Sequence, residues 1–353
     1  MGGSSSTIHS YNGAKKMNFV LTEMTFLRYF IPLIRDSKEP CRIFVKGNQK
    51  YNNPLLPSSQ ECLSKLSEEY KFDMFHIEEV GKYPGLTFVI EGCGMGHLDE
   101  KHKVVSLTYQ TDFSAGGEYE KYIEKVKFVA MPSRYFAEHF NKVSEKDIYF
   151  GSPKYDIELD KEKIHKKYNL NSDKKKVLIL APRVRDIGKI DLQKIMNTLI
   201  SDLGYHILIK TRGKDKSVVN LNEWEKADNH FAHPNGNIQF FVDASWHPHT
   251  TMELMHVSDI VVNFDSTAIK EAVMLRRPVV NFSIKPFNLV LPFLYNYDYC
   301  KMISPSFRKE DFIEAVRYLT TNNFTKEFDE AIANHLFEPK GVSKKILDFC
   351  EAL

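Results

Sequence analysis

Residues 258–283 constrain the fold of this chain more than any other stretch. They read S-DIVVNF-DST-AIKEAVMLRR-PVVNF-S, in which two short β-branched runs, residues 259–264 and 278–282, flank a segment with helical spacing. Runs that are apolar on both faces are typical of strands inside a parallel sheet that helices cover on each side. The stretch therefore predicts a strand, turn, helix and strand of an α/β fold.

Asp265, Ser266 and Thr267 lie between the first of these strands and the predicted helix. Side chains of this type accept hydrogen bonds from the free backbone N–H groups at a helix start. A helix start beyond the carboxyl end of a strand also combines unpaired N–H donors with the positive end of the helix dipole, which suits a phosphate. Two interpretations stay open from these residues, a phosphate-binding turn or a plain cap provided by Asp265.

Length and composition predict an ordinary two-domain protein. The chain has 353 residues, which favours two domains of roughly 150 residues each. Hydrophobic residues make up 42%, charged residues 27%, and the formal net charge is +2. This balance favours neither disorder nor strong nucleic-acid binding.

The cysteines and the first residues bear on the compartment. Five cysteines, an odd and scattered set, argue against a disulfide framework and against a cysteine metal site. Residues 1–16 are polar and rich in glycine and serine, and they are expected to form a flexible leader. No apolar run reaches the roughly 18 residues of a membrane-spanning helix. We therefore expect a cytoplasmic protein.

Three residues of the first half are candidates for acid–base chemistry, because they follow predicted strands. Glu91 ends one strand and opens a glycine-rich loop, E-G-C-G-M-G-H, that closes with His97. The loop lacks the G-x-G-x-x-G spacing, so it is read as a phosphate or sugar contact or as a tight turn. Two interpretations of His97 stay open, a catalytic base and a surface histidine. Asp112, on a loop after another strand, is a candidate general base.

Two motifs carry a resemblance to a known family. The turn N-F-D-S-T, residues 263–267, resembles the D-x-S-S/T turn that receives the diphosphate in GT-B glycosyltransferases and CDP-glycerol glycerophosphotransferase-like proteins. The segment G-S-P-K-Y-D, residues 151–156, is similar to the G-x-P-x-x-D domain crossover of the second group. The resemblance implies a GT-B fold, two Rossmann-like α/β domains whose parallel sheets face a central cleft.

The same resemblance sets domain limits. Residues 17–156 are expected to form the acceptor-side domain and residues 157–320 the nucleotide-donor domain. Residues 321–353 are predicted as helices, the last of which crosses back to the first domain.

The resemblance also implies roles for residues of the second half. Arg183 and Arg185 follow a strand on a loop that points into the cleft in family members, where arginines favour anionic ligands. Further candidates for contacts with the donor are Lys210, Arg212, Trp246, His247 and His249. Glu271 matches an acid that touches the donor ribose or sugar, or it pairs with Lys270 or Arg276 on a wet face. Two histidines without a third ligand give little support for a metal, and GT-B enzymes characteristically need none.

The sequence also departs from the glycerophosphotransferase pattern. Those proteins carry W-H-G-T and K-x-H-P, whereas this chain has L-T-Y-Q-T at residues 107–111 and K-T-R-G at residues 210–213. Because both histidines are missing, we expect a glycosyltransferase rather than a glycerophosphotransferase, acting from a nucleoside diphosphate sugar on a hydroxyl of a glycan, polysaccharide or glycolipid. The resemblance to GT-B enzymes implies that it needs neither a metal nor another cofactor. Asp112, with Glu91 and His97 as rivals, is the expected base. Lys210, Arg212 and residues 265–267 are expected to stabilise the leaving diphosphate.

Other functions stay open at this point. They are a CDP-glycerol-type glycerophosphotransferase, an enzyme like UDP-N-acetylglucosamine 2-epimerase, and a non-catalytic nucleotide- or carbohydrate-binding module. Contact with a membrane is a further possibility, since residues 25–35 are aromatic and flanked by basic residues, although a helix packed on a sheet has the same pattern.

Overall fold

The protein contains two parallel β-sheets, one from each half of the chain, in a computed structural model. The structure describes residues 16–48, 53–109, 122–139, 141, 143–170, 173–182, 184–210, 237–241, 249–284, 289 and 291–353, apart from the side chains of Ser58, Val184 and Arg185. The first sheet has seven strands in the order β3-β2-β1-β4-β5-β6-β7 and the second has six in the order β10-β9-β8-β11-β12-β13. This architecture confirms the predicted pair of Rossmann-like α/β units.

The first half alternates strands with helices. Its described elements are β1 (Met17–Leu21), α1 (Leu27–Asp36), β2 (Cys41–Val45), α2 (Pro57–Tyr70), β3 (Phe72–His76), β4 (Gly85–Ile90), β5 (His102–Leu107), β6 (Phe128–Met131), α3 (Arg134–His139) and β7 (Asp147–Tyr149). The central strands are buried along most of their length, as uniformly apolar runs predict. The aromatic face of α1 is buried in the core of this sheet, so packing accounts for its composition and supports the interpretation of residues 25–35 as a helix packed on a sheet.

The second half repeats this plan. Its described elements are α4 (Lys161–Tyr168), β8 (Lys176–Leu180), α5 (Val184–Ile187), α6 (Leu192–Asn197), β9 (His206–Lys210), β10 (Ile238–Phe241), α7 (Thr250–His256), β11 (Ile260–Asn263), α8 (Ile269–Met274), β12 (Val279–Phe282), β13 (Cys300–Ile303), α9 (Lys309–Thr321), α10 (Thr325–His335) and α11 (Val342–Glu351). The predicted strand–turn–helix–strand unit of residues 258–283 is confirmed as β11, α8 and β12. None of the helices in the described part of the chain is long and apolar enough to cross a membrane.

Each sheet has one point where the strand order reverses. In the first sheet the chain runs outward from β1 to β3 and returns to β4 beside β1; in the second it runs from β8 to β10 and returns to β11 beside β8. Open α/β sheets bind ligands outside the carboxyl ends of the two strands that flank such a point. The residues that follow β1, β4, β8 and β11 are therefore the places to look for a site.

Asp156 lies between the last strand of the first sheet and α4, and it follows a short 3₁₀ turn (Pro153–Tyr155). Its two carboxylate oxygens accept the backbone N–H groups of Gly341 at 3.1 Å and Ser343 at 2.7 Å, at the start of α11. Nη1 of Arg35 in α1 donates to the backbone carbonyl of Asp156 at 3.0 Å. Helix α11 buries Val342 and Ile346 in the core of the first sheet. The end of the chain thus packs on the first half.

Two strands lie where the sequence suggested none. β3 and β13 are edge strands in stretches for which no strand is predicted. A 3₁₀ turn (Pro292–Tyr295) precedes β13.

Candidate functional site

Two buried asparagines organise the turn at the reversal point of the second sheet. Asn263 ends β11 and lies opposite Asn281 of β12 in the strand register. Nδ2 of Asn263 donates to Oδ1 of Asn281 at 2.9 Å. Asn281 in turn donates from Nδ2 to Oδ1 of Asp265 at 2.7 Å and accepts the backbone N–H of Asp265 at 3.0 Å. The amide pair therefore holds Asp265 by both its backbone and its side chain.

The next residue of the turn is held by its carbonyl. The backbone oxygen of Ser266 accepts the hydroxyl of Tyr295 at 3.1 Å and Nδ2 of Asn263 at 3.3 Å. Burial raises the pKa of Tyr295, so its hydroxyl stays protonated and donates. Asp265 has a φ of +50°, a conformation that costs a non-glycine residue free energy unless its surroundings enforce it. Hydrogen bonds from two strands and a 3₁₀ turn provide that enforcement here.

The interpretation of Asp265 as a helix cap is wrong. Helix α8 begins at Ile269 with Ala268 as its N-cap residue, and the carboxylate of Asp265 bonds to Asn281 instead. Within the described ranges, no acceptor contacts the backbone N–H of Ser266 or Thr267. These two donors lie beyond the carboxyl end of β11. The turn can present them to an anion.

Glu271 of α8 joins the second half to the crossover. Its Oε1 accepts Nζ of Lys154 at 2.9 Å and the hydroxyl of Tyr155 at 3.2 Å, and its side chain is 12% exposed. Burial alone would raise the pKa of this carboxyl, but the charges of Lys154 and Lys270 and the hydrogen bond from Lys154 lower it to about 2. The interpretation of Glu271 as an exposed partner of Lys270 or Arg276 is therefore wrong, because Glu271 is largely buried and pairs with Lys154. Arg276 pairs with Asp329 at 2.8 Å instead.

The first half contributes Arg28, Tyr29 and Tyr109 to the same region. The hydroxyl of Tyr29 donates to the carbonyl of Tyr109 at 2.9 Å, and Nη2 of Arg28 donates to the hydroxyl of Tyr109 at 3.3 Å. Nζ of Lys154 lies 5.9 Å from the ring centroid of Tyr29. The charge of Arg28 also interacts with Glu271. We call Arg28, Lys154, Tyr155, Lys270 and Glu271 the junction cluster.

Glu91 lies at the reversal point of the first sheet, directly after β4. Its Oε1 accepts the backbone N–H of Tyr109 at 2.9 Å, and its φ is +46°. A carboxylate held in this way beyond a central strand can accept a proton from a substrate. His97, by contrast, has Nδ1 at 3.6 Å from Oε1 of Glu78, on the neighbouring 3₁₀ segment (Ile77–Lys82).

The glycine-rich loop after Glu91 is shaped by close packing. A Cβ on Gly94, which has a φ of +84°, would lie 2.4 Å from Cγ1 of Val20 in β1. The backbone N–H groups of Cys93, Met95 and His97 donate to carbonyls of the same segment. The loop therefore needs glycine to cross the end of β1 closely, which supports the tight-turn interpretation.

Only some of the remaining candidate residues lie in the described part of the chain. Lys210 ends β9, a central strand, and is 6% exposed. His249 is the N-cap residue of α7, and its side chain makes no capping hydrogen bond. Arg185 lies in α5. The residues Asp112, Arg183, Arg212, Trp246 and His247 lie outside the described residues.

Sequence reasoning missed the residues that hold the site together. Asn263 and Asn281 were read as members of apolar runs, although the repeated N-F at the ends of both runs is a signal for a paired amide in the sheet. Lys154 and Tyr155 lie inside the crossover motif but were not assigned contacts. In the part of the chain that the structure describes, no group of three or more His, Cys, Asp or Glu is arranged to hold a metal ion.

Comparisons with solved structures identify the fold. Over 96% of this chain, the UDP-GlcNAc 2-epimerase of Neisseria meningitidis bound to UDP-GlcNAc superimposes with a TM-score of 0.61 at 14% identity, covering 100% of that chain. The wall teichoic acid polymerase TagF matches 96% of this chain and 88% of its own with a TM-score of 0.57 at 14% identity. The glycotransferase of kitacinnamycin matches 96% of this chain and 98% of its own with a TM-score of 0.57 at 10% identity. No protein-family model matches the chain, and no curated protein is significantly similar in sequence.

Proposed function

The chain has the GT-B fold, and we propose that it transfers a sugar from a nucleoside diphosphate sugar to a hydroxyl of a glycan, polysaccharide or glycolipid in the cytoplasm. The observation that carries this proposal is the turn at residues 265–267. It is held rigidly at the reversal point of the second sheet, with two backbone N–H groups that meet no acceptor among the described residues. A diphosphate oxygen is a fitting acceptor for such donors.

The turn would act on the leaving group. As the bond between sugar and diphosphate breaks, negative charge builds on the diphosphate, and fixed donors stabilise that charge without reorganising. Each such donor is typically worth about 3 kcal/mol of barrier. Lys210 at the end of β9, with Arg183, Arg185 and Arg212, is proposed to add positive charge on the same side. Trp246, His247 and His249 are proposed to contact the nucleotide base. Glu271 is proposed to face the donor ribose or sugar through the junction cluster, and no step requires a metal ion.

Removal of the acceptor proton is assigned to the first half. Glu91 is a carboxylate at the reversal point of the first sheet, and Asp112 and His97 are its rivals. A base must lie within hydrogen-bond reach of the proton that it takes. The substitutions Glu91→Gln, Asp112→Asn and His97→Asn separate the three, because the variant that loses the base loses turnover by a factor of roughly 100 or more while it still binds the donor.

Nucleotide binding tests the donor site directly. We expect one of UDP, GDP, CDP and dTDP to raise the melting temperature without added metal, since a ligand that binds only the folded state stabilises it. The double variant Ser266→Ala/Thr267→Ala removes the two hydroxyls and keeps the backbone N–H donors, so it should lose only part of that shift, whereas Thr267→Pro removes one of the donors and should lose most of it. A matched control, Ser304→Ala/Ser306→Ala, changes two exposed serines after β13 and should keep it. If no nucleotide shifts the transition of the parent protein, the donor-site assignment fails.

A 2-epimerase reaction is the second candidate, because an enzyme of that activity superimposes on nearly the whole chain. The two reactions differ in their need for an acceptor. An epimerase converts UDP-GlcNAc into its 2-epimer alone, whereas a transferase consumes the donor only when an acceptor is present. Proton NMR of UDP-GlcNAc incubated with the protein and no acceptor distinguishes them. Appearance of a second sugar nucleotide would replace our proposal.

A further inference from the structure

Lys270 is a buried cation without a hydrogen-bond acceptor among the described residues. Lys270 as a whole is 7% exposed to solvent. Nζ lies 5.5 Å from the ring centroid of Tyr155 and 5.9 Å from that of Phe136. The adjacent carboxylate of Glu271 is directed to Lys154 and Tyr155 instead. Ring faces attract a cation, but less strongly than a carboxylate does.

The groups around Lys270 are mainly positive. Lys154 comes from the crossover and Arg28 from α1, so three basic side chains share one carboxylate, Glu271. Tyr155 contacts Lys270 directly, and Tyr29 and Tyr109 lie around Arg28 and Lys154. Burial raises the pKa of Tyr29 and Tyr155, so both stay neutral. The second carboxylate oxygen of Glu271 is buried and makes no hydrogen bond within the described part of the chain. The cluster therefore holds more positive than negative charge away from water.

Lys270 is also close to the candidate phosphate turn. Its backbone N–H donates to the carbonyl of Thr267 at 3.2 Å, and it is the second residue of α8, three positions after the last residue of the turn. The backbones of the two residues are therefore in direct contact, and the interior around Lys270 has low polarity, in which a charge added at the turn acts strongly on a buried ammonium.

We infer that Lys270 couples nucleotide binding to protonation: it takes up a proton from solvent when a diphosphate occupies the turn and releases it when the diphosphate leaves. The inference rests on the proposed nucleotide site and adds a linked proton to it. Burial, together with Lys154, lowers the pKa of Lys270 to about 7, so near neutral pH the amine exchanges its proton freely. A nearby dianion favours the charged form and raises that pKa.

Calorimetry measures this proton directly. UDP, GDP, CDP and dTDP are titrated into the full chain at a pH of about 7 in PIPES and in imidazole, two buffers with different ionisation enthalpies and no phosphate. The difference in observed enthalpy gives the protons taken up per nucleotide. About half a proton is expected for the nucleotide that binds, because a group with a pKa of about 7 goes from half to nearly full protonation.

Three variants identify the group. Lys270→Met removes the titrating amine, and Lys270→Arg keeps a cation that does not lose its proton. Both should bring the uptake attributable to this residue to zero, and the arginine variant should retain more affinity than the methionine variant. Lys326→Met, at an exposed lysine, should leave the uptake unchanged. The nucleotide's own phosphate titrates equally with all variants, so only the difference between the parent protein and the Lys270→Arg variant counts.

The pH dependence gives a second readout. Between about pH 7 and pH 9 the affinity of the parent protein should fall several-fold relative to that of Lys270→Arg, since protonation becomes costly as pH rises. Binding with equal uptake in the parent and Lys270→Arg proteins overturns the inference and leaves the nucleotide site standing. Absence of binding by all four nucleotides overturns both.

Discussion

Nζ of Lys154 lies 2.9 Å from Oε1 of Glu271, which ties the crossover between the two halves to the helix after the candidate phosphate turn. The residues are 117 positions apart in sequence, and their side chains are 11% and 12% exposed. An ion pair this far from water is screened little by salt. The pair therefore fixes where α8 lies relative to the crossover.

Breaking this pair is expected to destabilise the protein strongly. Lys154→Met leaves the Glu271 carboxylate buried without its main partner, and Glu271→Gln leaves the ammonium in the same position. Glu271→Gln should lower the free energy of unfolding by about 3–5 kcal/mol, the cost of uncompensated buried charge, and Lys154→Met should lower it by less, because Lys270 and Arg28 stay near the carboxylate. The double variant should lose less than the sum, and urea denaturation of all four proteins measures the coupling. Additive losses would show that the two charges act independently.

The same pair predicts how stability depends on acid. The pKa of Glu271 is lowered from 4.5 to about 2 in the folded protein, so its contribution is complete above about pH 4.5 and is lost as pH falls towards 2. The difference between the free energies of unfolding of the parent and Glu271→Gln proteins should therefore shrink as pH falls below about 4.5. Urea denaturation at steps of pH between about 7 and 3 tests this, and a gap that stays constant to the acid end of that range contradicts it.

Lys270 should make the stability of the protein depend on pH in the alkaline range. Its pKa is lowered from 10.5 to about 7, so the folded state carries a cost that is complete below about pH 7 and disappears as pH rises to 10.5. Lys270→Met should raise the melting temperature at about pH 7, where the gain is of the order of 1–4 kcal/mol. Thermal melts at about pH 7 and pH 10 should show that the gain vanishes at the higher pH. Lys326→Met is the exposed control at both.

The sequence predicted the central strands better than the edges of the sheets. β8, β11 and β12 are buried on both faces, and a continuous apolar run is the pattern that such burial produces. β3 and β13 lie at sheet edges, where Asp73 and Lys301 face partly outward, and their mixed composition gives no strand signal. The local pattern therefore fails at these two edges, where charged residues interrupt the apolar run.

The candidate site was predictable only where it is local in sequence. The turn at residues 265–267 was identified from three consecutive residues, but the amides that hold it come from two strands and depend on register. The Lys154–Glu271 pair has no sequence signature at all, because it forms only when the crossover returns to α8. The helix-cap interpretation of Asp265 failed for the same reason, since Asn281 takes its carboxylate.

Tyr295→Phe tests whether the turn must be rigid to bind a nucleotide. The change removes one hydroxyl that donates to the carbonyl of Ser266 and accepts from Asn263. Stability should fall by about 1–2 kcal/mol, and the thermal shift caused by a bound nucleotide should shrink as well. Tyr205→Phe is the matched control, because Tyr205 is buried, its hydroxyl bonds to the side chain of Thr320, and it precedes β9, at the opposite end of the sheet's strands from the turn. It should cost similar stability with no change in the nucleotide shift, and equal effects of both variants would argue against a role for rigidity.

Gly94→Ala tests the close approach of the glycine-rich loop to β1. The added Cβ would lie 2.4 Å from Cγ1 of Val20, and the φ of +84° is unfavourable for alanine. We expect a loss of about 1–3 kcal/mol in the free energy of unfolding, because either the loop or the strand must shift. Gly96→Ala is the control in the same loop, since its Cβ meets nothing within 4 Å. Urea denaturation should separate the two, and equal losses would mean that the loop tolerates a side chain at the end of β1.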